Sequence, residues 1–289
     1  MKDLVIGQAT HFDWPTLEPS ARSLWMSGFD GKKVLFVKAI SQEARENLLA
    51  LGFELFEIVG PPQTKDFFQG AGRLLKTWEY INNHKDELRY VIFTDTRDLV
   101  FQSNPSDWLH ERLREFGPYD YLSAKLVAAP EHVPHTNEAW NASYIKSCFS
   151  EVEEWIGNKD VICSGVIAGY AEYVAELCLT NYMVTRCLAA KAHGIDQPGL
   201  NVLLHQRTYQ DITLLPKMQD AWCINCQVMA SPSLIETYRP WLTDDEPEFR
   251  NGLVYPKYGD VPFRIVHQYD RNPEWTQIIR KRYCKDPRL

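Results

Sequence analysis

The sequence predicts an α/β fold built on a mostly parallel sheet, and three observations carry that expectation. Short apolar runs rich in β-branched residues alternate with amphipathic stretches through the N-terminal third. Turn residues separate them at the spacing of strand-helix-strand units. The fourth apolar run, Tyr90-Val91-Ile92-Phe93, stops abruptly in the polar cluster Thr94-Asp95-Thr96-Arg97-Asp98, which suits a strand end where an open sheet of this class places its ligand.

In chain order, Leu4 to Ala9 reads as the first strand, Thr10 to Pro15 as a loop and Thr16 to Met26 as a helix. After the turn from Gly28 to Gly31, Val34 to Val37 is the second strand. Ser41 caps a helix carrying Ala44, Leu48, Leu49 and Leu51, and Gly52 stops it. Phe53 to Val59 is the third strand; Pro61 and Pro62 break it, and Phe67, Ala71, Leu74, Leu75, Trp78 and Ile81 recur at helical spacing. If the first three strands step outward and the fourth returns beside the first, the order is 3-2-1-4. The reversal opens a crevice between Gly7 to Phe12, which includes Gln8 and Thr10, and Asp95 to Asp98, where a nucleotide fits. No GxGxxG or GxxxxGK[ST] accompanies it, so neither a Rossmann dinucleotide site nor a P-loop is expected.

The second half is less regular. Tyr119 to Ala129 reads as a strand, Ser143 to Ile156 as a helix and Val161 to Tyr170 as a strand whose glycines admit a close neighbour. Ala171 to His193 reads as a long helix, and Asp196-Gln197-Pro198 opens a short one through Asn201 and Leu204, with Asp196 suited to cap it. Prolines punctuate the stretch from Pro216 to Pro262, and Ser231 to Pro262 reads as an acceptor-side lid. Phe263 to Gln268 is the last strand, and Pro273 to Tyr283 the last helix.

The chain has 289 residues, 45% hydrophobic and 12% aromatic, an ordinary globular composition large enough for a substantial core. A net charge of −7 argues against non-specific nucleic-acid binding, which needs a basic footprint. Seven cysteines, an odd number, fit reduced thiols better than a disulfide framework, and Cys223 and Cys226 form a CxxC with no second pair. The first apolar run is too short for a signal peptide or a membrane span, which favours a cytoplasmic location, with contact at the inner face of a membrane left open. Asn141-Ala-Ser143 then reads as an incidental sequon. Glu131, His132 and His135 do not make HExxH, and Pro130 and Pro134 mark them as a loop.

Closely spaced acids at a strand end suit a hard divalent cation, which takes oxygen ligands. Arg97 between them contacts a phosphate or pairs with Asp95, and Arg73 and Lys76 lie on the helix before the motif strand.

The order of these parts resembles the GT-A glycosyltransferases that use nucleotide-diphosphate sugars, closest in layout to their retaining, glycogenin-like branch. The resemblance rests on the βαβ half, Asp95 and Asp98 after the fourth strand, Ser164-Gly165-Val166-Ile167-Ala168-Gly169, Asp196-Gln197 and the late His267. It implies one large domain, with residues 1–105 as a Rossmann-like nucleotide-sugar half and 106–289 as a more irregular acceptor half. It implies that Asp95, Asp98 and His267 hold Mn2+ or Mg2+. Gln8, Thr10, Arg73, Asp95, Thr96, Arg97, Ser164, Gly165 and Arg271 face the donor, and Asp196 and Gln197 stand at the reacting sugar. The donor expected is a nucleotide sugar, most readily a UDP-sugar, and the acceptor a glycan, lipid or protein. The chain departs from the pattern at two places: the acids are spaced as DTRD rather than DxD, and after His267 the usual Gly and Lys are Asp270 and Pro273, with Arg271 near the cation's place. The competing readings are a sugar-nucleotide nucleotidyltransferase, for which Gly7 to Thr10 is a poor loop, a haloacid dehalogenase-like phosphatase, whose acids belong earlier in the chain, and a non-catalytic nucleotide- or sugar-binding module.

Overall fold

In the computed structural model, which describes residues 1–59, 70–113, 123–149, 153–188 and 194–285, the strand-helix alternation forms a seven-stranded sheet. The nucleotide-side elements are β1 (Lys2–Thr10), α1 (Trp14–Met26), β2 (Lys32–Lys38), α2 (Gln42–Ala50), β3 (Phe53–Glu57), α3 (Ala71–Asn83) and β4 (Leu88–Thr94). Then come β5 (Leu99–Phe101), α4 (Pro105–Arg112), β6 (Leu126–Pro134), α5 (Ala139–Cys148), α6 (Glu153–Ile156), β7 (Asp160–Tyr170), α7 (Ala171–Cys187), α8 (Asp196–Leu204) and α9 (Arg207–Gln210). The chain continues through β8 (Thr213–Leu214), β9 (Cys223–Asn225), α10 (Cys226–Met229), α11 (Pro232–Tyr238), β10 (Glu248–Arg250), β11 (Leu253–Tyr255), β12 (Ile265–His267) and α12 (Pro273–Tyr283).

The sheet order is β3-β2-β1-β4-β7-β6-β8, so the 3-2-1-4 reversal expected from the sequence is present. β1 pairs in parallel with both β2 and β4, whereas β7 runs antiparallel to β4 and β6. The strand runs are continuously apolar because both faces are covered. Leu4, Ile6, Val91 and Phe93 pack with Leu74 and Ile81 of α3 and Val174 of α7. Val5, Leu35 and Ile92 pack on the other side with Leu17 and Leu24 of α1, Leu48 of α2 and Leu109 of α4.

Several boundaries differ from the sequence reading. α1 starts at Trp14, because the Asp13 carboxylate accepts from Thr16 N at 3.1 Å and Pro15 fits the first turn. The strand expected over Tyr119 to Ala129 lies at Leu126–Pro134; positions 119–122 fall outside the described residues. The supposed loop at Pro130 to Pro134 is strand, since β8 pairs with β6 only at Leu126 and Val127 and leaves that side of the remaining strand open to prolines. The helix expected over Ser143 to Ile156 is two helices, the first beginning at Ala139 on the Glu138 cap; residues 150–152 lie outside the described residues. The long helix ends at Cys187, and residues 189–193, like Pro61, Pro62 and Phe67, lie outside the described residues. Asp196 is the first residue of α8, which Ile195 precedes as the cap, so it is not an N-cap. All seven cysteines are free, and no described helix is long and apolar enough to cross a membrane.

β5 was not legible in the sequence. It builds a second sheet, ordered β5-β12-β9, in which His267 stands opposite Leu99 on one side and Asn225 on the other. That register carries the late histidine to the end of β4.

Candidate metal centre

Gly7 lets the ends of β1 and β4 close on each other, since a Cβ there would lie 2.6 Å from the Thr94 carbonyl. Thr96 then hydrogen-bonds the Gln8 carbonyl at 2.7 Å and turns inward to β1, which leaves Asp95 and Asp98 to face the same point. His267 Nε2 lies 3.4 Å from Asp95 Oδ2 and 3.6 Å from Asp98 Oδ1. One ligand atom from each of the three residues falls within 4.8 Å of the others. This is a buried Asp/Asp/His cluster able to coordinate a divalent cation.

The outer contacts orient every ligand. Asp95 turns its other oxygen, Oδ1, to Arg73, and Asp98 turns Oδ2 to Arg97 at 2.7 Å and to Arg271 at 3.7 Å. His267 Nδ1 donates to Asn225 Oδ1 at 2.9 Å. The Asn225 amide cannot turn round, because its Nδ2 donates to the carbonyls of Ala129 and Pro130, both at 3.1 Å. Nε2 is left buried, without a hydrogen-bond partner, and directed between the carboxylates. The ring fits because residue 165 is glycine: a Cβ there would stand 2.2 Å from His267 Cε1. An oriented imidazole with an orphaned nitrogen, facing two carboxylate oxygens, fits a bound cation on donor chemistry. Without one, burial opposes protonation of His267, but the Cys163 sulfur and the facing carboxylates of Asp95 and Asp98 outweigh it and raise its pKa well above the usual value.

Arg73 is the second organising group. Its Nη2 and Nε reach Asp196 Oδ2 at 2.6 and 3.1 Å, and Nη2 also meets the Ser164 carbonyl and hydroxyl, each at 3.3 Å. Burial works against its charge, yet Asp196 and Asp95 raise its pKa further above the ordinary arginine value. Asp95 is held far below the usual carboxylate range, the Arg73 charge and the His267 ring overriding the effect of burial.

A cavity of about 390 Å³ opens over this centre, within the range of small-ligand sites. Gln8, Thr10, Arg73, Asp95, Thr96, Arg97, Asp98, Gln197 and Arg271 all line it, so the structure brings these sequence candidates together. Ser164, Gly165, Asp196 and His267 stand behind that lining. Ser164 and Asp196 grip Arg73, and Gly165 seats the histidine. Arg97 pairs with Asp98 and Asp270 rather than with Asp95, correcting the alternative read from the sequence; Arg73 takes Asp95 instead.

The sequence reading missed Asn225, Asp270, Asn141 and Glu131. Asp270 bridges Arg97 at 3.5 Å and Arg271 at 2.5 Å. Glu131 lines the cavity from a strand, which Pro130 and Pro134 mask in the sequence by giving it the look of a loop. For Asn225 no local signal exists, since β9 is three residues long and its partner strand lies far along the chain.

Compared with models of known protein families, the sequence matches none, and no curated protein matches it at a significant level. What the chain establishes is therefore its own: a mostly parallel α/β sheet with an Asp/Asp/His centre, able to hold a divalent cation, at the point where the strand order reverses.

Proposed function

We propose that the protein is a cation-dependent glycosyltransferase of GT-A type, moving a sugar from a nucleotide-diphosphate sugar to a glycan, lipid or protein acceptor. A single observation carries this reading. Asp95 Oδ2, Asp98 Oδ1 and His267 Nε2 converge at the β1/β4 reversal, while the remaining carboxylate oxygens are held by arginines that line the same cavity. Mn2+ or Mg2+ held there supplies positive charge beside a departing diphosphate. Arg97 and Arg271 offer planar guanidinium groups to phosphate oxygens. Gln8 and Thr10 at the β1 end meet the nucleotide, and Gln197 meets hydroxyls of the transferred sugar. Asp196 positions Arg73 rather than touching substrate.

In this reading residues 1–105 form the nucleotide half and 106–289 the acceptor half of one continuous domain, and the cavity draws its walls from both. A UDP-sugar donor, a retaining course like that of the glycogenin-like branch, and a cytoplasmic place of work with contact at a membrane surface belong to the same proposal. The test is release of nucleoside diphosphate from UDP-, GDP- and CDP-sugars, with Mn2+ or with a chelator. Release from one nucleotide class, abolished by the chelator, is the expected result, and NMR of the glycoside formed reports the anomeric course. Absence of release from every donor would overturn the reading.

A further inference from the structure

The lining of the cavity divides by chemistry. Its guanidinium groups, on Arg73, Arg97 and Arg271, gather around the carboxylates of Asp95 and Asp98. The part supplied by β6, α5 and the approach to α8 carries Glu131, Trp140, Asn141, Gly194 and Gln197, with no lysine or arginine. Burial and the Glu138 charge push the Glu131 carboxyl up to about 7, against the pull of His267, Cys163 and Gln197, so at neutral pH it is only partly ionised. A phosphate calls for cations, whereas amides, a carboxyl and an aromatic ring suit a neutral ligand rich in hydroxyls.

These residues also lie at two depths. Gln197 and Glu131 are 8% and 4% exposed, while Trp140 is 41% exposed. A sugar held at Gln197 beside the cation therefore leaves Trp140, nearer the opening, for the next ring outward.

Trp140 is held ready for that contact. Ser164 N donates to Gln197 Oε1 at 3.1 Å, and Gln197 Nε2 donates to Asn141 Oδ1 at 2.8 Å. Glu138 accepts from the backbone N–H groups of Asn141 at 2.7 Å and Trp140 at 3.4 Å, which fixes the first turn of α5. One turn on, Tyr144 stacks on the indole, with ring centroids 4.3 Å apart and planes 27° from parallel. Gly194 lies along the indole edge, where a Cβ would stand 3.4 Å from Cζ2 and Cη2. An indole braced on a face and an edge offers its remaining surface at little cost in conformational freedom. A pyranose carries an apolar face of C–H groups ringed by hydroxyls, and it packs on such an indole while amides meet the hydroxyls. An alkyl chain would instead meet the polar Asn141, Gln197 and Glu131 beside the indole.

We infer that Trp140, backed by Tyr144, is the platform on which the acceptor stacks, and that the acceptor is a glycan presenting the C–H face of its terminal ring; the inference rests on the transferase reading above.

The test uses the full chain with UDP and Mg2+, and saturation-transfer NMR of methyl β-glucoside, methyl β-galactoside, lactose and maltose. At least one is expected to bind wild type, to bind Trp140→Ala about 10-fold more weakly, and to bind Trp140→Phe within about threefold of wild type. With UDP-glucose, UDP-galactose or UDP-N-acetylglucosamine as donor, that glycoside is expected to speed UDP release, and the Ala variant to raise its KM about 10-fold with kcat within about threefold. The Ala variant is expected to keep the thermal shift given by UDP with Mn2+. Glycoside binding unchanged in Trp140→Ala, or absent from wild type, overturns the inference. Loss of the UDP shift also overturns it, since Trp140 then serves the donor or the fold. UDP release sped by N-acetyltyrosine amide or dodecanol and by no glycoside does the same, and names a protein or lipid acceptor. A wild-type protein that releases no UDP from any donor defeats the transferase reading, and the glycoside-binding comparison still decides the role of Trp140.

Discussion

Asn225 holds His267 by a 2.9 Å hydrogen bond to Nδ1 and so leaves Nε2 facing Asp95 and Asp98. The two residues are neighbours on adjacent strands, β9 and β12, and the pairing rather than sequence proximity makes them partners.

Asn225→Ala is expected to weaken Mn2+ affinity by about 10- to 100-fold, the usual cost of losing a ligand-orienting partner. It also strips the donor from two backbone carbonyls, which lowers stability by about 1–3 kcal/mol. Titration of free Mn2+ followed by its paramagnetic resonance signal checks the first effect, and denaturant unfolding checks the second. Unchanged affinity would mean that Asn225 only braces the strand.

Gly165→Ala is expected to remove the cation site by steric means. The added methyl would fall 2.8 Å from Nε2, so the ring must leave its seat. Overpacking of this kind costs about 1–3 kcal/mol, and the stabilisation by Mn2+ should disappear with it. A variant still stabilised by Mn2+ would show that the ring can bind the cation from another position.

Asp196→Asn tests the Arg73 clamp. Both groups are largely buried, with side chains 2% and 12% exposed, so removing the Asp196 charge leaves Arg73 with Asp95 as its remaining carboxylate partner. Loss of one partner of a buried pair costs about 3–5 kcal/mol, and the surviving pair with Asp95 makes that an upper bound here. Asp196→Asn should therefore unfold at lower denaturant than wild type, and an unchanged midpoint would show that Asp95 and Ser164 alone hold Arg73.

Glu131 makes stability fall with rising pH. Its folded pKa, about 7, lies above the ordinary 4.5, so between those values the folded state binds the extra proton and loses stability as pH rises. Above about pH 7 the penalty is complete, with an upper bound on the order of 3 kcal/mol. Glu131→Gln should remove this slope, so that its stability gain over wild type grows from pH 5 to pH 7, roughly the interval between those pKa values. An equal difference at both pH values would contradict the raised pKa.

Much of the fold was legible because strands buried on both faces are continuous apolar runs, as Leu4 to Ile6 and Tyr90 to Phe93 are. The reversal beside β1 followed from strand-helix alternation and chain handedness. Asp95 and Asp98 announced themselves as charges at the end of such a run. The failures share a physical cause, which is that long-range pairing leaves little local trace. β5 and β9 are three residues each, stable only because β12 lies between them. Arg73 joins Asp95 and Asp196 across 22 and 123 positions of chain, which no local pattern encodes. Pro130 and Pro134 signalled a loop because the open side of β6, where a missing N–H costs no ladder bond, is a property of the assembled sheet.

The central claim is that the Asp95, Asp98 and His267 centre holds a cation for a nucleotide diphosphate. The most direct measurement is the melting temperature with UDP, GDP or CDP, each with Mn2+ or with a chelator, for wild type and His267→Ala. A nucleotide at about a hundred times its dissociation constant should add roughly 2.7 kcal/mol, a shift of several degrees. The account predicts that shift for one nucleotide, lost with the chelator and in the His267 variant. A shift that persists under both conditions would assign nucleotide binding to Arg97 and Arg271 without a cation, and no shift with any nucleotide would contradict the claim outright.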